Sequence, residues 1–240
     1  MVEVVKVLEV DRQLGDHVPD EQRERAEVSS TARVIRVPTG RWDASEHADD
    51  ARGGAGLLVL SGALVRRVGH ARHYGAELLA AGDLLRPWQH DGEETGILPF
   101  ETTWRVVAPL ELAVLDVRWM CRMAPWPTVN GELVGRALER SLRLATLLAI
   151  AQQRRLDIRL RMLFWKLADR FGVVTPEGVD LRLPLTHEIL AYLVAAQRPS
   201  VTATLSRLVE EGHLRQERRR WLLLGEPPVS LEDESTMSVS

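Results

Sequence analysis

Apolar residues are spaced differently in the two halves of this chain. From Ala32 to about Asp116 they come in short runs rich in Val and Leu: ARVIRVPTG (32–40), GLLVLSGALVRRVG (56–69), HYGAELLAAGDLL (73–85), TTWRVVAP (102–109) and LELAVLD (110–116). Gly, Pro and Asp punctuate them at strand-like intervals. Regular short strands with turn residues between them predict an antiparallel roll or barrel rather than strand–helix–strand units. Within this region SEHADDARGGAG (45–56) reads as a polar, glycine-rich loop. Ahead of it, residues 13–31 read as a short polar helix whose main part starts at Pro19.

Pro125-Trp126-Pro127 closes the strand region, and beyond it the period becomes helical. Asn130 is a candidate N-cap, and residues 131–155 run without a breaker. Residues 142–151 are apolar nearly all round, so such a helix must be covered on more than one side. The strip Leu138, Leu142, Ala145, Ala149 and Gln152 follows 4-3-4-3 spacing and could pair with a second copy of itself. The alternative is the central helix of a monomer.

Next, Leu160, Leu163, Phe164, Leu167 and Phe171 mark a further amphipathic helix, with Gly172 as its stop. VVTPEGVDLRLPL (173–185) alternates around Pro-Glu-Gly as a small hairpin, and LRQERRRWLLL (214–224) reads as a second hairpin. Between them lie two short helices. Thr186 caps the first, which buries Leu190, Leu193 and Val194. The second starts near Gln197, buries Val201, Leu205 and Leu208, and ends at Gly212. Its outer face is small or cationic: Arg198, Ser200, Thr202, Ala203, Ser206 and Arg207. A helix that only covers a core more often carries Glu and Lys outward. A helix entering the major groove needs a slim face, few acids and a long donor near its N-terminus.

The 240 residues are 45% hydrophobic and 27% charged, the profile of a soluble globular chain able to bury a core. The N-terminus carries acids and no long apolar run, and residues 142–151 are too short to span a bilayer, so the expected compartment is the cytoplasm, with no membrane partner. A single cysteine, Cys121, excludes an internal disulfide, a cysteine zinc knuckle and a cysteine-ligated iron–sulfur cluster. Residues 154–224 hold 13 Lys/Arg and 8 Asp/Glu, a net +5, which leaves −8 for the rest of a chain whose net charge is −3. A basic C-terminal module on an acidic remainder is compatible with nucleic acid. The tail, residues 226–240, is acidic and rich in Ser and Pro and is expected to be disordered.

LADRFG (167–172), LPLTHEILAYLVAAQRPSVTATLSRLVEEGHL (183–214) and the order roll, long helix, winged helix together resemble the CRP/FNR family of bacterial transcription regulators, over roughly residues 32–224. The resemblance implies an α+β chain. An N-terminal antiparallel β-roll, a jelly roll of the cyclic-nucleotide-binding type, would occupy residues 1–128 as sensor. A dimerisation helix would occupy 129–156, and a winged helix-turn-helix that binds double-stranded DNA 157–225. The implied protein is a homodimeric transcription regulator rather than an enzyme, with RNA polymerase a further candidate partner.

Site residues carry over position by position. Family members that read DNA offer an Arg, then a Glu, then an Arg one turn later. Here these places hold Arg198, Pro199 and Ala203, so the acid–cytosine contact is lost and a different operator is expected. Arg198 is the base-reading candidate. Ser200, Thr202, Ala203, Arg207, Thr186 and His187, with Arg218 and Arg219 at the tip of the second hairpin, complete the expected DNA-binding set.

The sensor departs further. Cyclic-nucleotide binders carry a Gly-Glu pair after the Gly-Asp turn and an Arg-Ser/Thr-Ala motif that clamps the phosphate. Here Gly82-Asp83 is followed by Leu-Leu-Arg-Pro-Trp, and Thr102-Thr103-Trp104 stands at the second motif. A buried phosphate without its bidentate cation forfeits a strong contact. The effector is therefore expected not to be a cyclic nucleotide, and no cofactor is assigned. Leu84, Arg86, Trp88, Thr102, Thr103 and Trp104 are the candidate effector pocket, although the tryptophans of the N-terminal half read more readily as core packing. His70 and His73 read as surface residues rather than a metal pair. Two rival readings stay open: a ligand-independent regulator, and a small-molecule-binding roll whose winged helix serves protein contacts.

Overall fold

The computed structural model describes residues 3–70, 73–90, 100–217 and 220–228 and divides into two units, residues 1–144 and 145–240. The expected disordered tail falls almost wholly outside the described residues.

The first unit is a seven-stranded antiparallel sheet. In chain order its elements are β1 (Val4–Lys6), α1 (Val7–Val10), α2 (Asp20–Ser29), β2 (Thr31–Val37), β3 (Gly40–Trp42), α3 (Ala48–Ala51), β4 (Gly56–His70), β5 (His73–Ala80), β6 (Leu84–Leu85), β7 (Glu101–Leu115) and α4 (Val117–Met123). The main path is β1-β2-β7-β4-β5, with β3 added to β7 and β6 to β4. The alternation of β7 decides what lies on each face. Trp104, Val106, Leu110, Leu112 and Val114 join Ile35, Leu57, Leu64 and Leu79 in one core. Ala113 and Leu115 join Leu58 on the other face, which the N-terminal helices, Trp119 and Trp126 cover.

Several sequence expectations are corrected here. TTWRVVAP and LELAVLD are one strand, β7, not two. The proline that suggested a break, Pro109, lies opposite a run of register shifts between Val59 and Leu64 of β4. A bulge has no ladder bond for its missing N–H to break. Gly62, at φ +87°, completes the irregularity, since a Cβ there would meet the Pro109 carbonyl at 2.0 Å. The 45–56 segment is not simply a loop: it holds a helical turn (Ala44–His47) capped by Asp43, and then α3. The strand region ends at Leu115, before Pro125. Asp116 accepts the backbone N–H of Trp119 at 2.7 Å and starts α4.

The long helix, α5 (Pro127–Ala151), begins at Pro127, so Asn130 lies inside it rather than capping it. A proline at the first helical position has no intrahelical bond to lose. The helix stops at Ala151, and Gln152 and Gln153 close a turn onto Leu148 and Ile150. The uninterrupted run to 155 is therefore not seen. Within the first unit, three arginines of α5 at i, i+4 and i+7 reach acids of the N-terminal segment and the sheet. Arg136 pairs with Asp11, Arg140 with Glu77 and Arg143 with Asp83. Glu77 and Asp83 are buried.

The second unit contains α6 (Leu156–Phe171), β8 (Gly172–Thr175), β9 (Gly178–Leu181), α7 (His187–Leu193), α8 (Arg198–Glu210), β10 (Leu214–Glu217) and β11 (Arg220–Leu223). Its four strands pair in the order β10-β11-β9-β8, so the two hairpins read in the sequence join into one sheet. Leu160, Leu163, Phe164 and Leu167 of α6, Leu190, Leu193 and Val194, and Val201, Leu205 and Leu208 of α8 are buried, as their periodicity predicts. Trp221 of β11, 1% exposed, packs on Phe164 with ring centroids 5.1 Å apart and donates its indole N–H to the Leu185 carbonyl at 3.2 Å. This ties the sheet to the helices.

Candidate nucleic-acid interface

The α7–α8 corner is built by local chemistry. The Thr186 hydroxyl accepts the Ile189 N–H at 3.2 Å and opens α7. The chain then turns through Ala195 at φ +51°, a left-handed conformation costly for a residue with a Cβ. The Ala196 N–H returns to the Ala191 carbonyl at 2.9 Å, and Arg159 of α6 donates to the Val194 carbonyl at 2.9 Å, which holds the turn against α6. Gln197 is extended, and Arg198-Pro199 form the first turn of α8. Pro199 therefore sits where its fixed φ suits a helix start and its missing N–H has no partner to lose.

Arg198, Ser200, Ala203, Ser206 and Arg207 are exposed. Ser206 is tied to the helix backbone by donating to the Thr202 carbonyl at 3.2 Å, which narrows the outer face further. Acids occur on α8 only at its far end, Glu210, with Glu211 following. Thr202 is half-buried, and its hydroxyl lies 3.0 Å from Nδ1 of His187, a bond that links the starts of the two helices. Thr186 and His187 thus come together with α8. Arg218 and Arg219 lie outside the described residues.

The cations differ in availability. Arg198 is exposed and forms no ion pair among the described residues. Arg207 reaches Asp157 of α6 at 3.4 Å and Glu211 at 3.6 Å. On the sheet, Asp180 accepts from Arg182 at 2.8 Å and from Arg220 at 3.2 Å. The Arg182 hydrogen bond, with Arg220 beside it, holds the Asp180 carboxyl below the usual carboxylate range against the opposing effect of burial. Asp157 is lowered likewise, chiefly by its hydrogen bond from Arg155. Asp157 and Asp180 were not singled out in the sequence: Arg155 and Arg182 are near neighbours, but nothing local marks the pairings with Arg207 and Arg220, tens of residues away.

The six residues expected to form an effector pocket do not line one surface. Trp104 is buried in the inner core, edge-on to Trp42 with centroids 6.0 Å apart, and Trp88 packs against the same core. Leu84 packs in the other cluster. Thr102 and Thr103 point to opposite faces of β7 by alternation, and Arg86 is exposed with its guanidinium 5.4 Å from the Trp88 ring. The cation that does stand against Trp104 is Arg66, 5.8 Å from the ring and already paired with Glu77 at 2.5 Å. Among the described residues, no group of three or more His, Cys, Asp or Glu could hold a metal ion. His70 lies against Phe100, with centroids 6.2 Å apart. No described helix is long and apolar enough to cross a membrane.

Residues 143–227 match the family described as the Crp-like helix-turn-helix domain. No curated protein matches the chain. Among solved structures, a CooA variant from Carboxydothermus hydrogenoformans is 18% identical, with 99% of this chain and 98% of that one covered and a TM-score of 0.61. A cyclic nucleotide-binding domain containing protein from Listeria monocytogenes is 16% identical over 89% and 96% of the two chains, with a TM-score of 0.64. The c-di-GMP responsive global regulator CLP of Xanthomonas campestris is 17% identical over 87% and 100%, with a TM-score of 0.56. These likenesses establish the fold: an antiparallel roll with a cyclic-nucleotide-binding-like architecture, a long helix and a Crp-like helix-turn-helix.

Proposed function

We propose that this chain, a Crp-like helix-turn-helix domain on a CRP/FNR-type roll, acts as a homodimeric, sequence-specific DNA-binding transcription regulator in the cytoplasm. One observation carries the reading. The outer face of α8 is slim, has its unpaired arginine at the N-terminal end and keeps its acids at the other end. That polarity directs the first turns of α8 into the major groove, where Arg198 can donate two hydrogen bonds to a guanine. Ser200, Thr202 and the opening of α7 then fall near the backbone, where contacts position the protein without reading sequence. Pro199 offers no acceptor for a cytosine amine, so direct readout rests on Arg198, and DNA shape contributes the rest.

The second copy is supported by α5. Leu138, Leu142 and Leu148 are 67, 71 and 62% exposed, and Ala145, Ala149 and Gln152 are exposed beside them. A continuous apolar strip of this kind buries favourably against a copy of itself.

A second reading, a regulator that needs no ligand, is favoured by Arg66 and Glu77. The arginine beside Trp104 already has a buried carboxylate, so an anionic effector would have to displace Glu77. Binding to an operator taken from genomic fragments tests the main reading. Arg198→Ala is expected to relax discrimination at one base pair per half-site by about 1–3 kcal/mol. Unchanged affinity and selectivity would remove Arg198 from the readout.

A further inference from the structure

The arginines of the winged unit differ in what restrains them. Arg182, just past β9, and Arg215 and Arg220, on β10 and β11, pair with Glu177, Asp180 and Glu217 on or beside the sheet. Arg207 is different. It stands on the exposed face of α8, one turn beyond Ala203, yet its guanidinium leans towards an acid of another helix. Nη2 lies 3.4 Å from Asp157, and Nε lies 3.6 Å from Glu211.

Asp157 is not a loose surface acid. Its side chain is 14% exposed and lies in the first turn of α6. Arg155 grips both of its oxygens, at 2.6 and 3.3 Å. A carboxylate fixed in that way cannot follow Arg207 outward. For Arg207 to reach a phosphate it must leave Asp157, so the phosphate competes with a partner already in place.

We infer that Asp157 is a positioning residue that holds Arg207 away from the phosphate backbone and so limits the affinity of the protein for DNA of any sequence. The inference rests on the DNA-binding reading above. Arg198, at the other end of α8, has no such partner among the described residues and keeps its donors for bases. Specific binding therefore loses less to the restraint than non-specific binding does. Specificity is a difference of affinities, and weakening the indiscriminate contact raises it. Without the Asp157 charge, Arg207 retains, among the described residues, Glu211, an exposed i, i+4 pair of the kind that contributes little.

The test compares the full chain with Asp157→Asn, Arg207→Ala and the double variant. Each is titrated across a salt series against an operator fragment and a random duplex. Asp157→Asn is expected to bind the random duplex about three- to tenfold more tightly, with a salt slope steeper by roughly 0.9, the contribution of one further phosphate contact. The operator-to-random ratio should fall. The double variant should return to the behaviour of Arg207→Ala, because the gain passes through Arg207. Asp157→Ser, which keeps a helix-start oxygen without the charge, should reproduce the gain and so separates charge from helix stability. A wild-type slope in Asp157→Asn overturns the inference. So does a gain that survives in the double variant, which would assign it to the released Arg155. If the wild-type protein binds neither duplex at low salt, the DNA-binding reading itself fails and this inference falls with it.

Discussion

At the scale of single residues, the described arginines of α8, of the four-stranded sheet and of its flank differ in what restrains them. Arg198 is exposed and unpaired among the described residues, whereas Arg182, Arg207, Arg215 and Arg220 all face carboxylates. Asp180 is the pivot of the sheet group, since Arg182, just past β9, and Arg220 of β11 meet on it. Its folded-state pKa is depressed, so its stabilising contribution is complete above the ordinary carboxylate range and is lost as pH falls through the lowered value. The second unit should therefore unfold at lower temperature as pH drops from about 5 to 3, the range spanning an ordinary Asp near 3.9. Asp180→Asn should lower stability at neutral pH and flatten that dependence, as followed by thermal unfolding with Trp221 fluorescence. An unchanged pH profile in Asp180→Asn would place the acid sensitivity elsewhere. Arg198, Pro199 and Ala203 were legible in the sequence because the face of a helix follows from spacing alone. Asp157 and Glu77 were not, because their partners Arg207 and Arg140 are set by the fold across 50 and 63 residues.

At the scale of elements, legibility followed periodicity. The buried faces of α6, α7 and α8 were read correctly, since Leu160, Leu163, Phe164, Leu190, Val201 and Leu205 repeat at helical intervals. Punctuation misled where a breaker residue met a tolerant position. Pro109 did not split β7, because the bulge around Gly62 in the facing strand absorbs it. Gly172 ends α6 but does so at φ −80°. What it needs is room, since a Cβ would sit 2.6 Å from the Ala168 carbonyl.

Helix α5 carries two faces with different work. Its arginines bind Asp11, Glu77 and Asp83 of the first unit, while its leucines at 138, 142 and 148 face solvent. The proposed dimer uses the second face. Leu138→Asp combined with Leu142→Asp is expected to convert the dimer to a monomer in sedimentation equilibrium, with far-ultraviolet circular dichroism unchanged. Operator affinity should fall by at least tenfold, on the order of 1.4 kcal/mol or more, because one half-site contact is lost from each complex. A double variant that remains dimeric would move the interface off this strip.

For the whole molecule, the charge asymmetry read in the sequence needs qualification. The C-terminal residues 154–224 carry a net +5, but the described arginines of the sheet and the end of α8 are largely neutralised by neighbouring acids. Those arginines therefore add less to the attraction for DNA than the net charge implies. The roll is equally self-contained. Trp42 and Trp104 fill its core, and Arg66 meets Glu77 rather than waiting for an anion. An effector, where one acts, must bind one arrangement of the dimer better than another to change DNA affinity.

The most direct test is selection of bound genomic fragments by the purified protein, followed by alignment of what is recovered. A two-fold symmetric motif is expected, with half-sites centred about 10–10.5 base pairs, or a multiple of that, apart. Each half should hold a guanine whose preference disappears with Arg198→Ala. Recovery of fragments with no shared motif, or no recovery at low salt, would contradict it.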